Sequence, residues 1–321
     1  IVHVIDCGLV KERAFDPRTG FSSLLTRSVS KAQADQRAGR AGRTRSGYCH
    51  RLYTKPDYDQ LAPMPVPEML RSNLSSVCLY MKVLGIDDVK GFDFLDAPSP
   101  DLLARSLSDL YVLGALEATH GQLTRLGLQM SEFPVDPKLA RVILSSHALH
   151  VEDQVLIIVS MLSVEMAIFT GTCKHEGHEL GDHFMLLDLF TGWLKSGKSE
   201  EYCSSLNLNQ MAMQQADSIR RQLSTILQRV CVADPCLEDY KKQTTDNSAN
   251  IQKAFLTAYG HANTATLDKS GISYTLTQGK RTAYMHPSSC LFKRKKPYKQ
   301  VLFHDIVTTS KDYMRTLMVI D

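Results

Sequence analysis

The chain has 321 residues, of which 43% are hydrophobic and 22% charged, and its formal net charge is +3. This length and composition allow two or more domains of ordinary size and exclude a collagen-like or a disordered chain. The longest nearly continuous apolar run, residues 155–164, has about half the length that a bilayer crossing needs and is interrupted by serines. We therefore expect no membrane-spanning segment.

The charge distribution and the cysteine content indicate the class of binding partner and the cellular compartment. Residues 1–55 contain 11 Lys or Arg against 4 Asp or Glu, and residues 279–300 contain 7 against none. Two basic segments favour a polyanion partner, with nucleic acid ahead of an anionic membrane, although solvated basic faces remain the alternative. The 8 cysteines are too sparse for a disulfide scaffold, so we expect an intracellular protein in a reducing compartment. Separately, we expect a nuclear or nucleolar location rather than a cytoplasmic one.

The first 54 residues read as the end of an α/β domain. A strand-like opening at residues 1–5 without a basic leader predicts a fragment that begins inside a domain. A β-hairpin follows over residues 11–27, then a helix at 31–39 capped by Ser30, then a strand at 48–53. A Pro-rich linker at 56–67 closes this part.

The next segments are typical of a small winged-helix module. Helical spacing of apolar residues predicts one helix over residues 68–84. Ser99 and Pro100 open a second helix, for which we expect a buried face made of Leu103, Leu107, Leu110 and Tyr111. A short hairpin around His120-Gly121 completes the module.

A helical bundle and then a small barrel are predicted for the remainder. Asp136-Pro137 starts a helix, residues 151–167 are nearly all apolar and so predicted to be buried, and residues 211–230 form a long amphipathic helix. Short strand-like runs follow at 272–276, 282–285, 301–304 and 317–320. Strands at this spacing, divided by Gly and Pro, indicate a barrel.

The most specific motif is QRAGRAGR at residues 36–43. A helical continuation would place Gln36, Arg40 and Arg43 on one face, and the small residues between them would let a phosphate chain approach the backbone. Planar guanidinium groups suit phosphate oxygens, and they can stabilise the charge that develops on a departing γ-phosphate. A solvated basic helix is the alternative.

This motif resembles motif VI of the DEAH-box RNA helicases of superfamily 2. The resemblance continues through RLYT at 51–54, PEMLRSNL at 67–74, MLSVE at 161–165, GDH at 181–183 and HPSS at 286–289. It covers essentially the whole chain. It implies a multidomain α+β fold with the end of a second RecA-like domain at 1–54, a winged helix at 55–126, a helical ratchet domain at 127–240 and an OB-fold at 241–321.

The resemblance also implies a function, that of the C-terminal part of an ATP-dependent RNA helicase. Gln36, Arg40 and Arg43 would be the catalytic and ATP-binding residues, facing the γ-phosphate across a cleft. The phosphate-binding loop and the DEAH sequence belong upstream of Ile1, so an upstream domain would bind most of the ATP and Mg²⁺, and this chain alone should be inactive. The alternative is a non-catalytic RNA- or protein-binding module derived from a helicase tail.

Partners follow from the same reasoning. We expect single-stranded RNA, contacted by the predicted hairpin and barrel, and the resemblance implies a glycine-rich G-patch activator on the winged helix. The basic run at 293–296 lies between predicted strands, which favours RNA contact, with a localisation signal as the rival. The predicted RNA-binding residues are Arg13, Arg18, Lys293, Lys295, Lys311 and Arg315.

Two further patterns need weighing. Residues 192–199, GWLKSGKS, satisfy the phosphate-loop pattern, but the preceding residues have helical spacing and lack β-branched side chains, so we favour a turn between helices. The second pattern could form a structural zinc site, but the glycines around it favour a loop with polar histidines. It consists of Cys173, His175, His178 and His183. We predict no metal bound by this chain.

Overall fold

The computed structural model describes residues 1–231, 247–292, 294, 297–308 and 311–320. The chain divides into two compact units, the first made of residues 1–73 and 93–102 and the second of residues 74–92 and 103–321. In the described part no helix is both long and apolar enough to cross a membrane.

The first unit contains a small parallel sheet and a hairpin. Strand β1 (His3–Asp6) pairs in parallel with β4 (Tyr48–Arg51), and helix α1 (Lys31–Ala38) connects them. Strands β2 (Leu9–Asp16) and β3 (Phe21–Ser28) form an antiparallel hairpin between β1 and α1. These elements confirm the strand, hairpin, helix and strand predicted from the sequence.

One face of the β1–β4 sheet is exposed and carries Ile5, Tyr48 and two histidine rings, His3 and His50. Ile5 is 71% exposed and Tyr48 65% exposed, and the His3 ring stacks on Tyr48 at 5.4 Å between centroids. Parallel sheets are normally covered on both faces, because their crossover helices pack there.

The proline-rich segment and the following helix differ from the prediction. Residues predicted as a linker include a short helix, α2 (Lys55–Gln60), which Thr54 caps. The single helix predicted over 68–84 is interrupted, with a 3₁₀ turn at Glu68–Leu70 and then α3 (Ser75–Val83). The interruption has a tertiary cause, because Arg71 leaves the helical conformation and its carbonyl accepts a hydrogen bond from Phe15 in the hairpin at 2.8 Å.

The second unit begins with the winged-helix elements. They are α3, α4 (Pro100–Val112), α5 (Arg125–Ser131) and a minimal hairpin in which Leu116 bridges Leu123. The buried face of α4 agrees with the prediction only in part, because Leu103 and Leu110 are buried as predicted and the other two residues are not. Tyr111 is 52% exposed and Leu107 is half-buried, whereas Leu102, Leu103 and Leu110 are buried.

Helices make up the centre of the second unit. They are α6 (Pro137–Ala148), α7 (Glu152–Leu162), α8 (Asp182–Lys195), α9 (Glu200–Leu206) and α10 (Gln210–Cys231). Trp193, Phe190 and Leu189 of α8 are fully buried in their core. The prediction that residues 151–167 are buried is correct for α7 and wrong at the end, because residues 165–167 are exposed.

A closed barrel follows α11 (Asn247–Tyr259). Its strands are β5 (Thr264–Leu267), β6 (Tyr274–Leu276), β7 (Thr282–Met285), β8 (Gln300–Thr308) and β9 (Asp312–Val319), in the order β5-β6-β7-β9-β8. The mixed α+β fold with winged helix, ratchet helices and OB-type barrel is confirmed. Sequence reasoning missed the four-residue strand β5, and it missed α11 although Ile251, Ala254, Phe255 and Ala258 lie at helical spacing there and are buried.

Candidate functional site

Helix α1 begins as predicted and ends before two of the three predicted site residues. Ser30 and Gln33 form a capping box, in which each side chain bonds the other residue's backbone N–H. Gly39 caps the C-terminus, and the N–H groups of Arg40 and Ala41 donate to the carbonyls of Arg37 and Ala38, three residues back. The predicted helical face through Gln36, Arg40 and Arg43 is therefore wrong beyond Ala38, because the chain tightens into turns.

The three predicted side chains nevertheless share one short, exposed stretch. Gln36, Arg40 and Arg43 are all exposed. None of the three has a side-chain hydrogen bond or ion pair with any residue of the described part. Ala41, between the two arginines, is 3% exposed and fixes the turn to the body of the unit. The arrangement leaves two guanidinium groups available to a ligand.

Arg37, in the same motif, has a structural role that sequence reasoning missed. It donates to Asp6 Oδ1 at 2.6 Å and to the carbonyl of Leu9 at 2.9 Å. Burial by itself would raise the pKa of Asp6, but hydrogen bonds from Gly8, Arg37 and Tyr53 outweigh burial and lower it. The signal in the sequence was Asp6 itself, an acid at the end of a strand that needs a cationic partner once buried.

The hairpin presents its predicted arginines to solvent. Arg13 lies on β2 opposite Leu24, and Arg18 lies in the tip turn, where its backbone N–H donates to Asp16 Oδ1 at 2.9 Å. Gly20 closes the turn with φ of +75°, a conformation that favours glycine. Both arginine side chains are exposed, Arg13 along β2 and Arg18 at the tip beside the exposed Asp16.

The barrel brings two predicted cations beside aromatic rings. Lys311 Nζ lies 4.4 Å from the centre of the Tyr284 ring, and that ring lies 6.1 Å from Tyr313. Arg315 follows two residues after Tyr313 on β9, on the same side of the strand, and is exposed. Sequence reasoning named Tyr284 as a nearby aromatic and missed Tyr313.

His286 lies next to these residues on the barrel. Its ring meets Tyr313 edge-on at 6.0 Å, and its Nδ1 hydrogen-bonds Ser288 Oγ at 2.6 Å. Burial, together with the positive charge of Arg315, lowers the pKa of His286, so the imidazole is neutral at pH 7. We call Tyr284, His286, Lys311, Tyr313 and Arg315 the barrel face. Lys293 and Lys295, which were also predicted to bind RNA, lie outside the described residues.

The phosphate-loop pattern at 192–199 is part of a helical corner. Gly192 lies inside α8, where an added Cβ would collide with the Tyr202 hydroxyl. Lys198 donates to Asp217 at 2.6 Å, and Arg220 and Arg221 bind the same carboxylate. The lysine therefore neutralises a buried acid, and Ser199 caps α9. The turn favoured from the sequence is confirmed.

The cysteine–histidine pattern does not form a ligand set. His183 is fully buried against Phe255, whereas His178 stacks on Phe184 and accepts a hydrogen bond from the Leu180 N–H. Burial lowers the pKa of His183 to about 3. Within the described residues no three metal-binding side chains come together.

A cavity of about 560 Å³ lies beside the hairpin base in the first unit. The start of α1, helix α2 and the ends of the hairpin strands line it, with Arg27, Gln33 and Asp57 among the polar groups. Gln36, Arg40 and Arg43 do not line this cavity.

Comparison with known domain families identifies most of the second unit. Residues 106–135 match the winged-helix part of the helicase-associated domain (HA2), and residues 136–186 match its ratchet-like part. Residues 251–321 match the oligonucleotide/oligosaccharide-binding (OB) fold. This succession is that of the C-terminal domains of DEAH-box helicases. The chain carries the C-terminal domains of a DEAH-box helicase.

The helicase domains match the observed elements. The winged-helix match includes the Leu116–Leu123 bridge and α5, the ratchet match begins at α6, and the OB match contains the whole closed barrel. The family description of this barrel is oligonucleotide/oligosaccharide-binding, and the barrel face lies on it. The outer bounds of the four predicted domains remain predictions.

Proposed function

We propose that this chain is the C-terminal part of an ATP-dependent RNA helicase that couples ATP hydrolysis to RNA translocation or remodelling. The observation that carries the proposal is the contrast within one motif. Arg37 is fixed by Asp6 and Leu9, whereas Arg40 and Arg43 are exposed and make no side-chain bond to a described residue. Charged groups left available beside a fixed scaffold are typical of a ligand site.

The residues present suit the phosphates of ATP. Two guanidinium groups can each bind phosphate oxygens through paired N–H donors, and the Gln36 amide adds a neutral donor. ATP supplies the phosphoanhydride bond that is broken. Arg40 and Arg43 would stabilise the charge that develops on its terminal phosphate, while Mg²⁺ and the other phosphates are held mainly by an upstream domain. Asp6, already bound by three donors, is not a Mg²⁺ ligand.

The exposed face of the β1–β4 sheet supports the proposal that further elements of this α/β domain lie upstream. Ile5 and Tyr48 together present an apolar surface that a parallel sheet normally covers. We infer that upstream elements of the same RecA-like domain pack on it and position the motif opposite the ATP-binding lobe.

The experiment is to measure RNA-stimulated ATP hydrolysis by the full-length protein. Arg40→Ala or Arg43→Ala should lower kcat by about 10³-fold or more, as for arginines that stabilise a transferring phosphoryl group. Arg45→Ala is the matched control, because Arg45 is an exposed neighbour of the motif, and it should keep wild-type kcat. A wild-type protein without ATP hydrolysis would favour the non-catalytic RNA- or protein-binding module instead.

We propose that single-stranded RNA is the substrate, gripped by the barrel face and guided by the hairpin. Tyr284 and Tyr313 are half-exposed rings close to Lys311 and Arg315, and this combination suits a strand whose bases stack on rings while its phosphates contact cations. Arg13 and Arg18 add charge along the hairpin. The arrangement favours contact with the RNA backbone and stacked bases over reading of a particular sequence.

We also propose that a G-patch protein activates the helicase by docking on the winged helix. Supporting this, α3 exposes Val77, Tyr80 and Leu84 at helical spacing, and Leu84 is 77% exposed. An amphipathic segment of a partner could cover such a stripe. Tyr80→Asp should abolish G-patch stimulation of ATP hydrolysis while leaving RNA stimulation intact. Loss of both would contradict this docking site.

We place the protein in the nucleus or nucleolus. Disulfides do not join Cys7, Cys49, Cys78, Cys203 or Cys290, which fits a reducing intracellular compartment. A fluorescent fusion of the full-length protein would test the location, and exclusively cytoplasmic signal would contradict it.

A further inference from the structure

The base of the hairpin and helix α1 are joined by a cluster of hydrogen bonds. The cluster consists of Asp6 at the end of β1, Gly8 and Leu9 at the start of the hairpin, Arg37 on α1 and Tyr53 after β4. We call it the hairpin clamp. Its side-chain acceptor, the Asp6 carboxylate, is fully buried.

Each member of the clamp contacts another through a specific bond. Asp6 accepts from Arg37 at 2.6 Å, from Tyr53 Oη at 2.9 Å and from the Gly8 N–H at 3.0 Å. Arg37 uses its second terminal nitrogen on the carbonyl of Leu9, the first residue of β2. Gly8 has φ of +73°, and an added Cβ would lie 2.7 Å from the Tyr53 ring.

The returning strand is also tied to α1. Val29, directly after β3, donates its N–H to the Gly8 carbonyl at 2.9 Å and is buried. The next residue, Ser30, caps α1. Both strands of the hairpin are therefore joined to α1 at their base. Strand β2 is joined through the side chain of Arg37, and β3 leads directly into α1 through Val29 and Ser30.

The hairpin is long and its outgoing strand is braced further out. Eight residues of β2 span about 25 Å at the usual rise per residue. Arg71 donates to the carbonyl of Arg13 at 3.1 Å and accepts from Phe15, so the middle of β2 is held as well. Such a hairpin moves as a stiff body when its base moves.

We propose that the hairpin clamp transmits movement between the nucleotide-sensing arginines and the hairpin tip, with Arg37 and Tyr53 as positioning residues. This inference rests on the proposed function. Arg40 and Arg43 follow directly on α1, so a shift of α1 caused by their ligand must carry Asp6, Leu9 and the hairpin with it. The tip, where Arg18 lies, moves furthest because it is most distant from the base.

The test compares two tyrosines that differ in what they join. Tyr53→Phe removes the hydroxyl bond to Asp6 in the clamp. Tyr58→Phe is the matched control. Tyr58 lies on α2, and its hydroxyl bonds Asp35 of α1 at 3.0 Å, so this variant removes a bond between α1 and α2 and leaves the hairpin base intact. Both variants are made in the full-length protein, and thermal unfolding is measured for each.

The readouts are ATP hydrolysis without RNA and the number of duplex strands displaced per ATP hydrolysed. We expect Tyr53→Phe to keep the wild-type rate of ATP hydrolysis without RNA. The number of strands displaced per ATP should fall by about fivefold or more, which is the usual size of an energetic coupling between two sites. Tyr58→Phe should leave both unchanged. Arg37→Lys, which keeps the charge but cannot bind Asp6 and Leu9 together, should resemble Tyr53→Phe.

Two results overturn the proposal. One is an unchanged displacement ratio in Tyr53→Phe, and the other is an equal loss in Tyr53→Phe and Tyr58→Phe, which would indicate a general effect on α1. Different results would contradict the proposed function. They are a wild-type protein that hydrolyses no ATP, or an Arg40→Ala variant that hydrolyses ATP at the wild-type rate.

Discussion

Arginines three residues apart in one motif have opposite environments. Arg37 donates to a buried carboxylate and a backbone carbonyl, whereas Arg40 lies in an exposed turn. The difference arises because α1 ends at Ala38, which leaves Arg37 on the helix facing β1. A basic motif therefore combines residues that hold the fold with residues available to a ligand, and only the environment separates the two.

Lys198 should behave as a structural residue, not as a phosphate-binding one. Lys198→Ala removes one of three cations from buried Asp217, and because Lys198 is 40% exposed we expect a loss of only about 1 kcal/mol in the free energy of unfolding. ATP hydrolysis by the full-length protein should not change. Lys195→Ala, at an exposed position of α8, is the control and should be neutral. Hydrolysis that depends on Lys198 but not on Arg40 would restore the phosphate-loop interpretation.

His183 should make the second unit sensitive to acid. Burial, with His304 nearby, lowers its pKa from 6.5 to about 3, so between these values the unfolded chain binds a proton that the folded chain excludes. Above pH 6.5 the free energy of unfolding is not reduced by protonation of this residue. As the pH drops below 6.5, the free energy of unfolding decreases by up to about 1.4 kcal/mol per pH unit. Urea unfolding of His183→Leu at several pH values should show a flatter dependence than wild type.

The exposed His261 provides the comparison for that experiment. His261→Gln should keep the wild-type pH dependence of unfolding, because the His261 side chain is exposed to solvent and folding does not bury it. Equal slopes in wild type and His183→Leu would mean that the buried ring does not govern acid stability.

Helix starts could be predicted from the sequence where an N-cap residue was present. The starts of α1, α4 and α6 were predicted from Ser30, Ser99 and Asp136, because a side chain that bonds the first N–H groups defines a start locally. The break between residues 68 and 84 was not predicted. It depends on Arg71 bonding the hairpin, a contact between residues far apart in sequence.

The N-terminus of α8 should be an essential joint between the ratchet helices and the barrel. Asp182 is buried and accepts from the backbone N–H groups of Cys290 and Leu317, each at 2.7 Å. Asp182→Asn replaces one acceptor by a donor that faces an N–H, so we expect a loss of about 2–3 kcal/mol in the free energy of unfolding. Chemical denaturation of the whole chain measures this.

Asp188→Asn is the matched control for the α8 joint. Asp188 lies on the same helix and is exposed, so its substitution should change stability by less than about 0.5 kcal/mol. Similar losses in the two variants would show that Asp182 holds no special position.

At the scale of the whole molecule, the barrel face should set the salt dependence of RNA binding. Removing Lys311 and Arg315 together, by substitution to Ala, should lower the slope of log affinity against log salt by about 1.4, or about 0.7 for each phosphate that is no longer neutralised. Tyr313→Ala should weaken binding by about 1–3 kcal/mol, because a base can no longer stack on the ring, without changing the slope. Fluorescence anisotropy with labelled single-stranded RNA at several salt concentrations measures both.

The control removes the same charge elsewhere on the barrel. Lys269 and Lys280 are exposed in the turns that flank β6, and their joint substitution by Ala should leave the slope unchanged. If both double variants reduce the slope equally, binding follows total charge and the barrel face is not a defined site.

The sequence by itself determined the domain order, the hairpin, most helix starts and four barrel strands, because each depends on local periodicity, caps and turn residues. It also singled out Gln36, Arg40 and Arg43. The tertiary structure decided what those patterns mean. It ended α1 before Arg40, bound Arg37 to Asp6, assigned Lys198 to Asp217 and set Tyr313 beside Tyr284. The physical reason is that a charged side chain takes its role from the partners it meets after folding, and those partners lie far away in sequence.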